Sequence, residues 1–154
     1  MTSRRHSLPT LKVDFSKQVP FIYKNSQVHG YEGDTIATAL YRMGVRIFSR
    51  SLKYHRPRGL YSLDGECSNT CMAVNGIPNE QCETLLIKNG MRVEEQNVIG
   101  SARHDLLGFI DYMDWAMPAG FYYDTLHKPA QIWPLAMKQI RKTAGLGRLD
   151  PHFI

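Results

Sequence analysis

SRSLKYHRPRGLYSLDGECSNTCMAVNG, Ser49–Gly76, gathers most of the chain's distinctive chemistry into one run. It holds a basic and aromatic cluster (Lys53, Tyr54, His55, Arg56, Arg58) and two of the three cysteines, Cys67 and Cys71; Cys82 follows shortly after. From Ser49 to Thr70 neither the two-residue alternation of a strand nor a helical repeat holds, and Pro57, Gly59 and Gly65 interrupt the run. A loop of about twenty residues inside a compact domain is usually functional rather than filler. Clustered cysteines in a reducing compartment point to a metal site before a disulfide.

Upstream, Leu11–Phe15 alternates apolar and polar residues as a strand does. Phe21–Lys24 and Val28–Tyr31, separated by Asn25-Ser26-Gln27, predict a hairpin. Asp34 is a candidate helix cap, its carboxylate accepting the free N–H groups of a first turn. Ile36, Ala39, Leu40 and Met43 make one apolar helical face, and Gly44 supplies a left-handed stop. Val45–Phe48 is a candidate return strand. Downstream, Met72–Val74 predicts a buried strand ended by Asn75-Gly76. Thr84–Ile87 and Met91–Glu94 predict a hairpin about Asn89-Gly90. This order of elements predicts an α+β chain with a β-grasp, ferredoxin-like sheet around one helix, followed by a helical C-terminal arm.

The expected organisation is a basic tail over 1–10, the β-grasp domain over 11–97, and a helical arm over 98–154 that docks on a partner subunit. Leu106, Phe109, Ile110 and Met113 give the arm a helical stripe ending before Pro118, and a last helix starts near Pro134, where proline suits a first turn. Trp115, Phe121, Tyr122, Tyr123 and Trp133 lie close together in sequence. Tryptophan and tyrosine dominate interface anchors, so these are candidate docking residues; the alternative is that they pack back on the sheet.

The chain has 154 residues, 43% of them hydrophobic, enough for a core. Its 19 basic and 14 acidic residues give a net charge of +5, concentrated at Arg4-Arg5 and over Arg42–Arg58. A nucleic-acid module would use such charge, but no aromatics interleave with it on a strand face. No secretory leader follows Arg5, and no apolar run approaches the ~20 residues needed to span a bilayer. The expectation is a cytoplasmic chain with reduced thiols and no membrane contact.

Two segments carry a resemblance. Gly33–Leu40 (GDTIATAL), followed by Arg50–Gly59 (RSLKYHRPRG), resembles the start of the alpha subunit of heterotetrameric sarcosine oxidase. Pro118–Tyr123 and Ala144–Gly147 resemble the segment before that subunit's dinucleotide-binding domain. The resemblance spans roughly Gly33 to Gly147, and the K-Y-H-R-P-R-G run is specific. It implies a ferredoxin-type domain and helical linker that pack on a Rossmann-type domain, in complexes that oxidise N-methyl amino acids or related amines with flavins. Ending at Ile154, the chain resembles that region as a separate small subunit of a hetero-oligomer, with FAD, FMN or NAD held by partner subunits.

Relatives with a [2Fe–2S] cluster use four cysteines spaced C-x4-C-x2-C…C, because two irons bridged by two sulfides need four terminal thiolates. Laid here without gaps on Cys67, that pattern puts Ser62, Cys67 and Thr70 at the first three ligand positions, with the fourth near Cys82 or Glu83. Cys71 falls one place late. The expectation is a degenerate domain that binds no cofactor by itself and serves as a non-catalytic subunit of a flavin-dependent amine oxidoreductase. The alternative is a [2Fe–2S] electron carrier using Cys67, Cys71 and Cys82. Zinc on Cys67, Cys71, Cys82 and His55 lacks the usual C-x2-C knuckle, and free cysteines are often plain core residues.

Other chemistry is sparse. No G-x-G-x-x-G or P-loop motif occurs. Lys53, Tyr54, His55, Arg56 and Arg58 are expected to contact a partner or a cofactor phosphate, with the two arginines as bidentate anchors. An internally bridged loop is the competing reading. His55 has no carboxylate near it in sequence, and His104, Asp105, Asp111 and Asp114 are expected on a solvated face.

Overall fold

The computed structural model describes residues 12–116, together with Pro134 and Lys138. Its first hairpin joins β1 (Asp14–Tyr23) to β2 (Ser26–Glu32), with Tyr23 opposite Ser26. The turn is Lys24-Asn25, both left-handed with φ 52° and 66°. That handedness matches the twist of paired strands. The turn therefore sits one residue earlier than predicted, and the two expected strand segments before it fuse into β1 with an irregularity between Asp14 and Gln18.

Helix α1 spans Ile36–Arg42. Its cap is Thr35 rather than Asp34: Thr38 N donates to Thr35 Oγ1 at 3.2 Å, and Thr35 N donates to Thr38 Oγ1 at 2.9 Å. This reciprocal pair satisfies two first-turn donors. Ile36, Ala39 and Leu40 are buried as the spacing predicted and Ala37 is buried beside them, but Met43 is 39% exposed, because the helix ends at it. Gly44 takes the expected left-handed conformation, φ 92°.

Residues 45–48 form no strand. Phe48 instead drops into the core, and the chain pairs only from β3 (Ser49–Arg50) with β4 (Pro57–Arg58). The loop thus carries a two-residue ladder. A 3-10 turn at Ser68–Thr70 leads into β5 (Cys71–Val74), and β6 (Ile77–Gln81) returns antiparallel to it. The segment 84–87 is not a strand either. Leu85 O accepts from Ile36 N at 2.9 Å and Ile87 N donates to Asp34 O at 3.0 Å, so this apolar run closes over the start of α1. The last strand, β7 (Arg92–Glu94), enters between β1 and β5.

The sheet order is β2-β1-β7-β5-β6. β1 and β7 are parallel and the other pairs antiparallel. First and last strands side by side at the centre, with a helix laid across, is the β-grasp arrangement. Phe21, Leu40, Phe48, Met72, Cys82 and Val93 fill the space between helix and sheet. A 3-10 helix, Gly108–Ala116, follows the domain. The expected arm aromatics Phe121, Tyr122, Tyr123 and Trp133, and the Trp115 side chain, lie outside the described residues, as does most of the last expected helix.

The glycine that ends the K-Y-H-R-P-R-G run has a packing reason. A Cβ at Gly59 would lie 2.2 Å from the Arg46 carbonyl oxygen. Next to it, Phe48 N donates to Arg58 O at 2.8 Å, so the two chains are held at close quarters. Gly59→Ala must push the β4 strand off the 46–48 segment. We expect a loss of about 2 kcal/mol in urea unfolding, within the range for overpacked sites.

Candidate functional site

The basic loop is clasped to the segment after the sheet. Arg50 reaches across it: Nε donates to Ala102 O at 2.8 Å, Nη1 to His55 O at 2.8 Å and Nη2 to Arg103 O at 3.4 Å. The His55 ring is buried, with Nδ1 2.6 Å from Asp105 Oδ2. His55 also holds φ at 52°, a conformation unusual for a residue with a Cβ. Arg56 pairs through Nε with Asp111 Oδ1 on the 3-10 helix and lies 4.6 Å over the Tyr54 ring, which Lys53 also approaches at 4.7 Å.

Two expectations are thereby corrected. His55 does have a carboxylate orienting it, and Asp105 is a buried anchor rather than part of a solvated face. Fifty residues separate them in the chain, so no local pattern could have paired them. The Arg56–Asp111 pair is exposed on both sides and contributes little to stability.

Asp105 is the better-held group. Its Oδ1 accepts from Ile99 N at 2.8 Å and from Leu107 N at 3.4 Å. Burial alone would raise its pKa; the Ile99 amide, His55 and the Leu107 amide outweigh that and hold it below the ordinary carboxylate value. A depressed folded pKa gives stability that is present above the unfolded value, about 3.9, and is lost as pH falls through the folded one. Asp105→Asn should therefore cost about 1–2 kcal/mol near neutrality. Its unfolding curve should begin to approach that of the parent chain only as pH falls below about 4.

The cysteine loop has a different character. Ser62 Oγ donates to Asp64 Oδ1 at 2.7 Å. Cys67 is buried, and its backbone N–H donates to the Glu83 carboxylate, which also accepts from Gln81 Nε2 at 2.9 Å. Thr70 is fully buried, and its hydroxyl donates to Cys67 O at 3.0 Å. Cys82 is fully buried in the core, its thiol 3.8 Å from Glu80 O; burial, then the neighbouring Cys71, pushes its pKa well up. Cys71 starts β5 half-buried, while Met72 and Val74 face the core, so alternation turns it to the other face. Burial raises its pKa too.

This donor set does not fit an iron pair. Two of the four positions in register are alcohols engaged elsewhere, and the thiol nearest the fourth, Cys82, lies among core side chains. Among the described residues no three His, Cys, Asp or Glu side chains come together to hold a metal ion. Nor is any helix among them long and apolar enough to cross a membrane.

Residues 16–98 match the family described as the 2Fe-2S iron–sulfur cluster binding domain. The sarcosine oxidase subunit alpha of Rhizobium meliloti (strain 1021) is 33% identical over 141 residues, covering 88% of this chain and 14% of that protein. The chain thus spans about a seventh of the curated relative it matches. The crystal structure of L-proline dehydrogenase from P. horikoshii overlaps 52% of this chain and 16% of that one, at 26% identity and a TM-score of 0.45. With more than half its length inside the family match, the chain belongs to the family of 2Fe-2S iron–sulfur cluster binding domains, as its resemblance to the N-terminal region of the sarcosine oxidase alpha subunit implied.

Proposed function

We propose that the chain is a small, non-catalytic subunit of a flavin-dependent complex that oxidises amines or N-methyl amino acids, as the name of its curated relative suggests. Its β-grasp domain is a degenerate ferredoxin domain that packs on a dinucleotide-binding subunit in the cytoplasm; flavin and nicotinamide nucleotides belong to that partner. The observation that carries the cluster-free reading is the ligand register. Ser62 and Thr70 stand where thiolates are needed, and Glu83 takes the Cys67 amide. The docking reading is supported by Leu106, Phe109 and Tyr112, which stand 73%, 55% and 87% exposed at a three-residue spacing. Phe109 and Tyr112 lie in the 3-10 helix, where that spacing puts side chains in one line, and Leu106 sits in the turn just before it. Lys53, Tyr54, Arg56 and Arg58 would extend the same surface from the clasped loop, with the buried His55 beneath them; Trp115, Phe121, Tyr122, Tyr123 and Trp133 are proposed as docking residues on their sequence alone.

The family's own description favours a second reading, a [2Fe–2S] electron carrier. One preparation separates the two. The tagged chain, purified anaerobically from its host, should bring down a flavin-containing chain while containing no iron or sulfide of its own. Brown colour and iron in the isolated subunit would establish the carrier instead. A chain that elutes alone, with no flavoprotein bound, would sink the subunit reading.

A further inference from the structure

A cleft of about 560 Å³ opens where the β1–β2 turn, the chain after α1 and the segment after β7 meet. That size suits small organic ligands, which occupy about 300–1,000 Å³. On one side stands Glu95, whose side chain is 7% exposed. It accepts from Tyr23 Oη at 2.7 Å, Ala102 N at 2.7 Å and Lys24 Nζ at 3.1 Å. Both its oxygens are satisfied, and its charge is met by Lys24.

The remaining charge of the cleft is positive. Arg46 stacks on Tyr41 at 3.8 Å and donates through Nη1 to Tyr41 O at 2.6 Å. These contacts fix its direction, while Nε and Nη2 donate to no described residue. Arg103 also lines the cleft, and its guanidinium has no partner among the described residues. Met43, Val45 and Ile47 add apolar lining to the same cleft.

We propose that this cleft binds a small organic phosphate: the guanidinium forks of Arg46 and Arg103 hold the phosphate, and its carbon body lies on Met43, Val45 and Ile47. Guanidinium matches the geometry of phosphate oxygens and keeps its charge at any working pH. The reading is independent of the partner subunit proposed above.

The test titrates the isotope-labelled full chain with AMP and, separately, with inorganic phosphate, following the amide resonances of Gly44, Val45 and Ile47. AMP should give saturating shifts there, and phosphate the same shifts with weaker binding. Arg103→Gln alters an exposed side chain and should weaken AMP by about tenfold, the worth of one charge-assisted contact. Arg92→Gln, on β7 outside the cleft, should leave AMP binding unchanged. Shifts that never saturate, or an equal loss in both variants, would overturn the site. Phosphate binding as tightly as AMP would overturn the assignment to an organic ligand.

Discussion

Asp34→Ala should cost the fold about 3 kcal/mol, the low end of what is lost when one member of a buried ion pair is removed. Asp34 is fully buried. Its Oδ2 accepts from Tyr31 N at 2.9 Å and from Arg42 Nη1, and its Oδ1 from Arg42 Nη2 at 2.8 Å and Thr38 Oγ1 at 3.1 Å. One carboxylate therefore ties the end of β2 to both ends of α1. Arg42 in turn lies 5.3 Å from the Phe15 and Tyr31 rings, which meet edge-on at 5.2 Å. Alanine would take this acceptor from the Tyr31 amide, leave the Thr38 hydroxyl with only Thr35 O at 3.0 Å, and open a void against the helix. Arg42, 37% exposed on its side chain, can recover water, which is why the low end applies. Arg42→Ala should cost at least as much, about 3–4 kcal/mol, because it leaves a fully buried carboxylate with no counter-charge, held only by the Tyr31 amide and the Thr38 hydroxyl. Urea unfolding of both variants measures the difference. A loss under about 1 kcal/mol for Asp34→Ala would mean that Thr35 alone positions the helix.

The sheet and helix were legible where local chemistry decides conformation. Apolar spacing marked the buried face of α1, and the residues flanking Lys24-Asn25 marked a hairpin. Where neighbours decide, the sequence misled. Leu85-Leu86-Ile87 looks like a strand, yet its backbone groups pair with Asp34 and Ile36 across the domain, and Leu86 is 53% exposed. β6 went unseen because Ile77-Pro78-Asn79-Glu80-Gln81 contains a proline and few apolar residues. It is an edge strand, where proline is tolerated because one side of the ladder is unpaired. Asp34 has the chemistry of a cap, as carboxylates often do; Thr35 fills that role with Thr38, which frees Asp34 to meet Arg42. The clasp of His55 and Asp105 could not be read, since it rests on the path of the chain between them. By contrast, the spacing of the cysteines can be counted without a structure, because ligand number and register are one-dimensional properties.

That misfit can be reversed on paper and tested. Ser62→Cys combined with Thr70→Cys supplies thiolates at the two alcohol positions and completes C-x4-C-x2-C with Cys67, leaving Cys82 as the fourth ligand. If thiolate count alone separates this chain from cluster-bearing relatives, the double variant should take up about two irons per chain with matching sulfide on reconstitution. The parent chain should take up none under the same conditions, and each single variant should resemble the parent, because three thiolates leave one iron incompletely coordinated. Two features oppose the gain. Cys82 must turn its thiol out of the core it shares with Met72, and Glu83 already holds the Cys67 amide. Adding Glu83→Gln tests the second of these, since a neutral amide holds that N–H less firmly and repels the anionic cluster less. A colourless double variant that turns brown only with Glu83→Gln would make the carboxylate the barrier. Failure of the triple variant would place the barrier at Cys82 and show that this loop has been repacked as well as stripped of ligands. Iron in the parent chain would refute the degenerate reading outright.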